Sequence, residues 1–234
     1  MTNRITVIWQ RDPARVAGLF YLILTILVFL GAIRFLIVPG EIITPNIILI
    51  ARFGFVADLF SIMFFLLLAW ALFVLFSPVN RNLALLVTLS ISVSVAIQAL
   101  NTLNYFAALS VLSGADYMIV FDADQLQALA TFYLELHMDT THIAEFFWFL
   151  WVFSAGYLIF KSDILPKYLG ILLMVGGIGY LLVIFGFFLL PSLGVVSALG
   201  GVLGGLAEIS LMLWLLVKGA KIPSTGADKE SKEE

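Results

Sequence analysis

Six stretches of this 234-residue chain are long and apolar enough to cross a lipid bilayer, and that property decides most of what it can fold into. A hydrocarbon core roughly 30 Å thick takes about 20 apolar residues of helix at 1.5 Å each. That ruler places spans at 16–38, 54–76, 83–107, 141–160, 169–190 and 199–217. The stretches "VPGEIITPN", "SPVNRN", "KSDILPK" and "LPSLG" carry the Pro, Gly and Asn that end helices and turn chains. The expected fold class is therefore all-α, a polytopic membrane protein built as a bundle of six transmembrane helices. One connection is long, "SGADYMIVFDADQLQALATFYLELHMD", with room for a short extracytoplasmic surface helix between spans 3 and 4. It would start near Asp122 or Asp124, whose carboxylates suit an N-cap.

Composition agrees with the ruler, at 62% hydrophobic against 12% charged residues and a mean hydropathy of +1.12. The absence of cysteine rules out disulfides, thiol nucleophiles and thiolate metal sites. The net charge of −3 gives no reason to expect nucleic acid as a partner, which leaves the bilayer itself.

Basic residues set the expected orientation. Arg4, Arg11, Arg15, Arg81, Lys161, Lys167, Lys218, Lys221, Lys229 and Lys232 fall on one side, against Arg34 and Arg52 on the other. The positive-inside rule puts both termini in the cytoplasm of an integral cell-membrane protein. The long connection, with Asp116, Asp122, Asp124, Glu135 and Asp139 and no basic residue, then faces outward. Three regions follow: a cytoplasmic tail at 1–15, a membrane domain at 16–217, and a charged tail at 218–234 expected to be disordered.

Four stretches, "RVAGLFYLILTI", "SPVNRNLALL", "SGADYMIVFDADQLQALATFYLELH" and "GYLIFKSDILPKYLGILLMVGGIGYLL", together resemble a prokaryotic multi-pass membrane family known only as a domain of unknown function. The resemblance covers about Arg15 to Lys221 and implies a six-span bundle without implying an activity. His137 falls at a histidine of that family's pattern. His142 and Glu145 stand where the pattern has apolar, Gly or amide residues, which makes a site built on them peculiar to this branch.

Polar side chains within the spans carry the functional signal, because a charge at the bilayer centre costs roughly 2.5–3.5 kcal/mol on insertion scales. Arg34, Asp58, Gln98, Asn101, His137, His142, Glu145 and Glu208 all fall in the expected outer half or near the midplane. The inner half is almost wholly apolar. This bias points to a polar cup opening on the extracytoplasmic side and closed below by Phe, Leu and Trp side chains, with Glu145 turned toward Asp58, Asn101 or Glu208. Two carboxylates brought together in such a cup would share a proton, bind a cation or recruit Arg34.

Spacing groups these residues by face. Gln98, Asn101 and Asn104 form one row on the third span, which reads equally as hydrogen-bonding glue between helices. His142 and Glu145 share a face of the fourth span, and His137 with Thr141 shares a neighbouring one. No cofactor is expected in the first instance. The one metal reading is a divalent ion held by His137, His142, Glu145 and Asp58, and it requires a kink at Asp139 or Thr140 to bring both histidines to one ion. Glu208, alone near the midplane, must be protonated or paired, and Arg34, the one intramembrane cation available, sits near the outer border, so a bridge needs a tilted helix or a long downward side chain.

The run "GGVLGG" makes the pairs Gly200/Gly204 and Gly201/Gly205, facing Gly176, Gly177 and Gly179 of the preceding span. Close internal packing is the preferred reading and a dimer face through Gly200 and Gly204 the alternative. No span holds a lysine for a Schiff base, and no nucleophile elbow or nucleotide loop is present. The expected function is the binding of a small or lipidic ligand in the outward cup, in a sensing or transport role. An intramembrane metal hydrolase and a purely structural bundle are the alternatives.

Overall fold

Helix caps fall where the sequence supplies them. Asp12 accepts a hydrogen bond from the Arg15 backbone N–H, and Asn80 accepts one from that of Leu83. Asp122 and Gln125 make a reciprocal capping box. The structure, a computed structural model, describes residues 12–32, 45–113, 116–190, 192 and 194–221. Among them are six helices long and apolar enough to span a membrane: α1 (Pro13–Gly31), α2 (Pro45–Phe76), α3 (Arg81–Leu112), α4 (Ala123–Phe160), α5 (Lys167–Leu189) and α6 (Gly194–Val217). A short 3-10 turn, Asp116–Met118, precedes α4.

Short connections make chain neighbours antiparallel, and each helix packs on the next in order, α1 on α2 through to α5 on α6. The least extensive of these seams, α1 against α6, closes the ring. One end of the ring gathers the start of α1 and the end of α6, where the Lys221 N–H donates to the Ile164 carbonyl at 2.9 Å. The other end bears the α3–α4 connection.

Three helices outrun the ruler. At 1.5 Å per residue, α2 and α3 are each about 48 Å long and α4 about 57 Å, against about 35 Å for α5 and α6. The surplus projects at the end bearing the α3–α4 connection, where Tyr105, Leu109 and Ala51 form a second small core. The expected surface helix does begin at Asp122, but it continues unbroken into the fourth span. Residues 123–155 contain neither Pro nor Gly to interrupt it, and hydropathy measures lipid thickness, not helix length.

The main core fills the half of the ring nearest the start of α1. Leu68, Leu72, Phe76, Val87, Ile91, Trp151, Leu158, Ile159, Leu173, Leu211 and Leu215 are fully buried there. Glycines set the helix spacing in this packing. A Cβ placed on Gly18 would lie 2.6 Å from the Leu216 backbone nitrogen, and one on Gly156 2.7 Å from the Gly170 carbonyl. Gly200 and Gly204 are buried against α5, where a Cβ on Gly204 would meet the Tyr180 ring at 2.7 Å. The pair that a dimer face would use is thus occupied inside the chain.

Candidate functional site

Above the apolar core, the ring encloses a cavity of about 330 Å³ to which every helix contributes a polar side chain. Tyr21 and Thr25 come from α1, Asp58 and Ser61 from α2, and Gln98 and Thr102 from α3. α4 supplies His137, Thr141 and Trp148, α5 supplies Tyr180, and α6 supplies Glu208. Apolar side chains such as Leu24, Ile62, Phe65 and Val95 make up the remaining wall.

Glu208 is the deepest charged residue of the cavity. The Tyr21 hydroxyl donates to its Oε2 and the Tyr180 hydroxyl to its Oε1, so both carboxylate oxygens are engaged from two different helices. Aromatic packing holds the phenols in place: Tyr180 meets Trp148 edge-on at 5.5 Å, and Tyr21 tilts against Trp151 at 6.3 Å. The indole N–H of Trp148 is buried with no hydrogen-bond acceptor among the described residues. From sequence Glu208 was expected to be protonated or paired with Arg34, which lies outside the described residues, and neither tyrosine was expected as its partner. Depth offered a signal: Tyr21 lies about 12 Å from the start of α1 and Glu208 about 14 Å from the end of α6.

Four of the eight residues expected in the cup line the cavity: Asp58, Gln98, His137 and Glu208. Asn101 is buried beside it as a clamp between α3 and α4. Its amide donates to the His137 carbonyl at 2.8 Å and to Thr141 Oγ1 at 3.3 Å. In return His137 Nδ1–H donates to the Asn101 carbonyl at 3.0 Å. Asn104 donates to Asn101 Oδ1 at 3.1 Å, so the amide row of α3 serves as glue that also orients a cavity histidine.

His142 and Glu145 are turned elsewhere. Five helical residues at 100° each put His142 about 140° around the helix from His137. His137 accordingly packs on Tyr105 of α3, and His142 on Phe187 of α5 at 4.1 Å. Glu145 is buried, as expected, but its partner is His142, which donates from Nδ1 at 2.8 Å, and neither residue lines the cavity. Because α4 runs unbroken through Asp139 and Thr140, the kink needed to unite the histidines is absent. No three His, Asp or Glu side chains converge as a metal-ligand group among the described residues, so His137, His142, Glu145 and Asp58 are not brought together.

Such a site can hold a guest by hydrogen bonding at Glu208 and by apolar contact along the wall. Its described hydroxyls are tied to carbonyls or to Glu208: Thr25 donates to the Tyr21 carbonyl at 2.8 Å and Ser61 to that of Asp58 at 2.7 Å. No curated protein and no solved structure matches the chain. One family's sequence profile does, over residues 16–219, which is nearly the whole ring of helices. The chain therefore belongs to the membrane-protein family described as "Domain of unknown function (DUF4386)".

Proposed function

We propose that this integral membrane protein binds a small or lipidic ligand in the cavity between its helices, in a sensing or transport role. The observation that carries the reading is Glu208, a carboxyl group embedded among apolar helices and gripped by Tyr21 and Tyr180 at the inner end of a cavity of about 330 Å³. Polar groups at membrane depth are costly, and six helices each contributing one to the same void is an expense that packing alone does not require. The volume falls at the lower end for small-molecule sites, and the few polar groups in a mostly apolar wall fit the usual pattern of such sites. The buried Trp148 N–H adds a donor that a ligand oxygen would satisfy.

In the same reading both termini are cytoplasmic and the cavity faces outward across the cell membrane. Arg15, Arg81, Lys161, Lys167, Lys218 and Lys221 cluster at the end of the ring opposite the acidic α3–α4 connection, which supports that orientation.

The test is mass spectrometry of molecules released on denaturing protein purified from membranes in mild detergent. The wild-type chain should carry about one specific molecule that Ser61→Phe, which fills the cavity, excludes. Equal release from a folded Ser61→Phe variant, or only bulk lipid from both, would refute the reading.

A further inference from the structure

Among the described residues, the α1–α6 seam is closed on one side of Glu208 and open on the other. Toward the ends of the chain, Gly18 admits the backbone of Leu216, and Thr25 Oγ1 lies 3.4 Å from Met212 Sδ. Toward the α5–α6 turn, Gly201 and Gly205 continue the face of α6 that carries Glu208 and Met212. There, no heavy atom of the described residues lies within 4 Å of a Cβ built on either glycine. Gly205 lines the cavity together with Val28, Phe29 and Ile209, and these three side chains are 49%, 70% and 40% exposed on the lipid-facing surface. The same residues are thus cavity wall and outer surface, which makes this stretch of the seam a lateral opening.

Charge narrows what can use it. The carboxyl group at the seam is Glu208, whose two oxygens both accept from phenol hydroxyls and so present it as a carboxylate. Beside Glu208 stand the rings of Tyr21 and Tyr180, with Trp148 packed on Tyr180, and aromatic faces attract cations. An anionic head would be repelled by the Glu208 carboxylate, and a neutral alcohol would forgo the ring attraction. The volume accommodates a headgroup and the first few carbons of a chain, leaving the remainder in lipid at the opening.

Building on the ligand-binding reading, we propose that the ligand is an amphiphilic organic ammonium ion that passes from the bilayer between α1 and α6 and seats its cationic head on Glu208. The test uses the full chain in nanodiscs and three bromoalkyl probes of matched chain length: a trimethylammonium, an alcohol and a carboxylate, compared at equal mole fraction in the bilayer. The readout is quenching of Trp148, isolated by difference from Trp148→Phe. The ammonium should quench saturably, at concentrations about tenfold below the alcohol, and the carboxylate should not saturate. Glu208→Gln should erase the tenfold preference and Glu208→Asp should retain most of it. Gly205→Phe, which fills the opening, should slow the onset of quenching about tenfold.

Equal affinity for ammonium and alcohol in the wild-type chain would overturn the charge assignment while leaving a ligand site in place. An unchanged onset in Gly205→Phe would overturn the lateral route. Saturable quenching by none of the probes would overturn the ammonium proposal. Ser61→Phe releasing nothing less than wild type is the separate result that removes the ligand site itself.

Discussion

Packing and site chemistry are coupled at Gly204. A methyl group placed there would sit 2.7, 2.9 and 3.0 Å from Cζ, Cε2 and Cε1 of Tyr180. Carbon atoms pack comfortably at about 3.5–4.0 Å, so the ring must retreat by roughly 0.8 Å or more. Cζ bears the hydroxyl that donates to Glu208, so the retreat acts directly on that hydrogen bond. Gly204→Ala should therefore lose about 1–3 kcal/mol to overpacking. It should lose about 1–1.5 kcal/mol more from a weakened hydrogen bond. At roughly 2–4 °C per kcal/mol for a chain of this size, the thermal midpoint should fall by about 4–18 °C.

The assay is tryptophan fluorescence melting in detergent beside Gly201→Ala, whose added methyl meets nothing within 4 Å among the described residues. The control should be unchanged or slightly stabilised, since alanine is the better helix former by about 1 kcal/mol. In a Tyr180→Ala background the clash has no object, and Gly204→Ala should then cost nothing. Equal midpoints for Gly204→Ala and Gly201→Ala, or an undiminished cost in the Tyr180→Ala background, would show that Gly204 does not position Tyr180.

Asn101→Leu removes the amide that joins α3 to the His137 carbonyl and should cost about 1–3 kcal/mol, read as a lowered denaturation midpoint. An unchanged midpoint would mean that the amide row does not hold these helices together. Glu145→Gln should leave trimethylammonium quenching of Trp148 as in wild type, since Glu145 pairs with His142 outside the cavity. A loss of quenching there as large as in Glu208→Gln would return the α4 pair to the site. Because the chain has no cysteine, single cysteines introduced near Asp116 and at Lys221 report sidedness directly. An impermeant maleimide on intact cells should label the first and not the second.

Much of the fold was legible because a bilayer imposes one ruler on every segment: the six apolar runs became six helices, and Pro, Gly and Asn marked their ends. The same ruler is blind to helix beyond the lipid, which is why α4 begins at Ala123 and not near Thr141. The site was legible in depth and not in rotation. Glu208, Asp58 and Gln98 were picked out by the cost of polarity in hydrocarbon and His137 by its place at the rim of the fourth span, and all four line the cavity. His142 and Glu145 passed the same filter but point to α5, a matter of helical phase that the unbroken α4 settles. Tyr21 and Tyr180 escaped notice because a phenol is cheap in a span, and only its neighbour reveals whether its hydroxyl is employed.

Cysteine accessibility along the ring tests most directly whether a cavity open toward the α3–α4 connection stands over a closed apolar half. Thr102→Cys and Thr141→Cys place thiols in the cavity wall, and Ala84→Cys and Ala155→Cys place them in the fully buried core. A small cationic methanethiosulfonate added from the side of the α3–α4 connection should modify the first two and neither of the others, and from the opposite side it should modify none. Modification of Ala155→Cys as fast as Thr141→Cys, or of Thr141→Cys only from the opposite side, would contradict the cavity and its orientation.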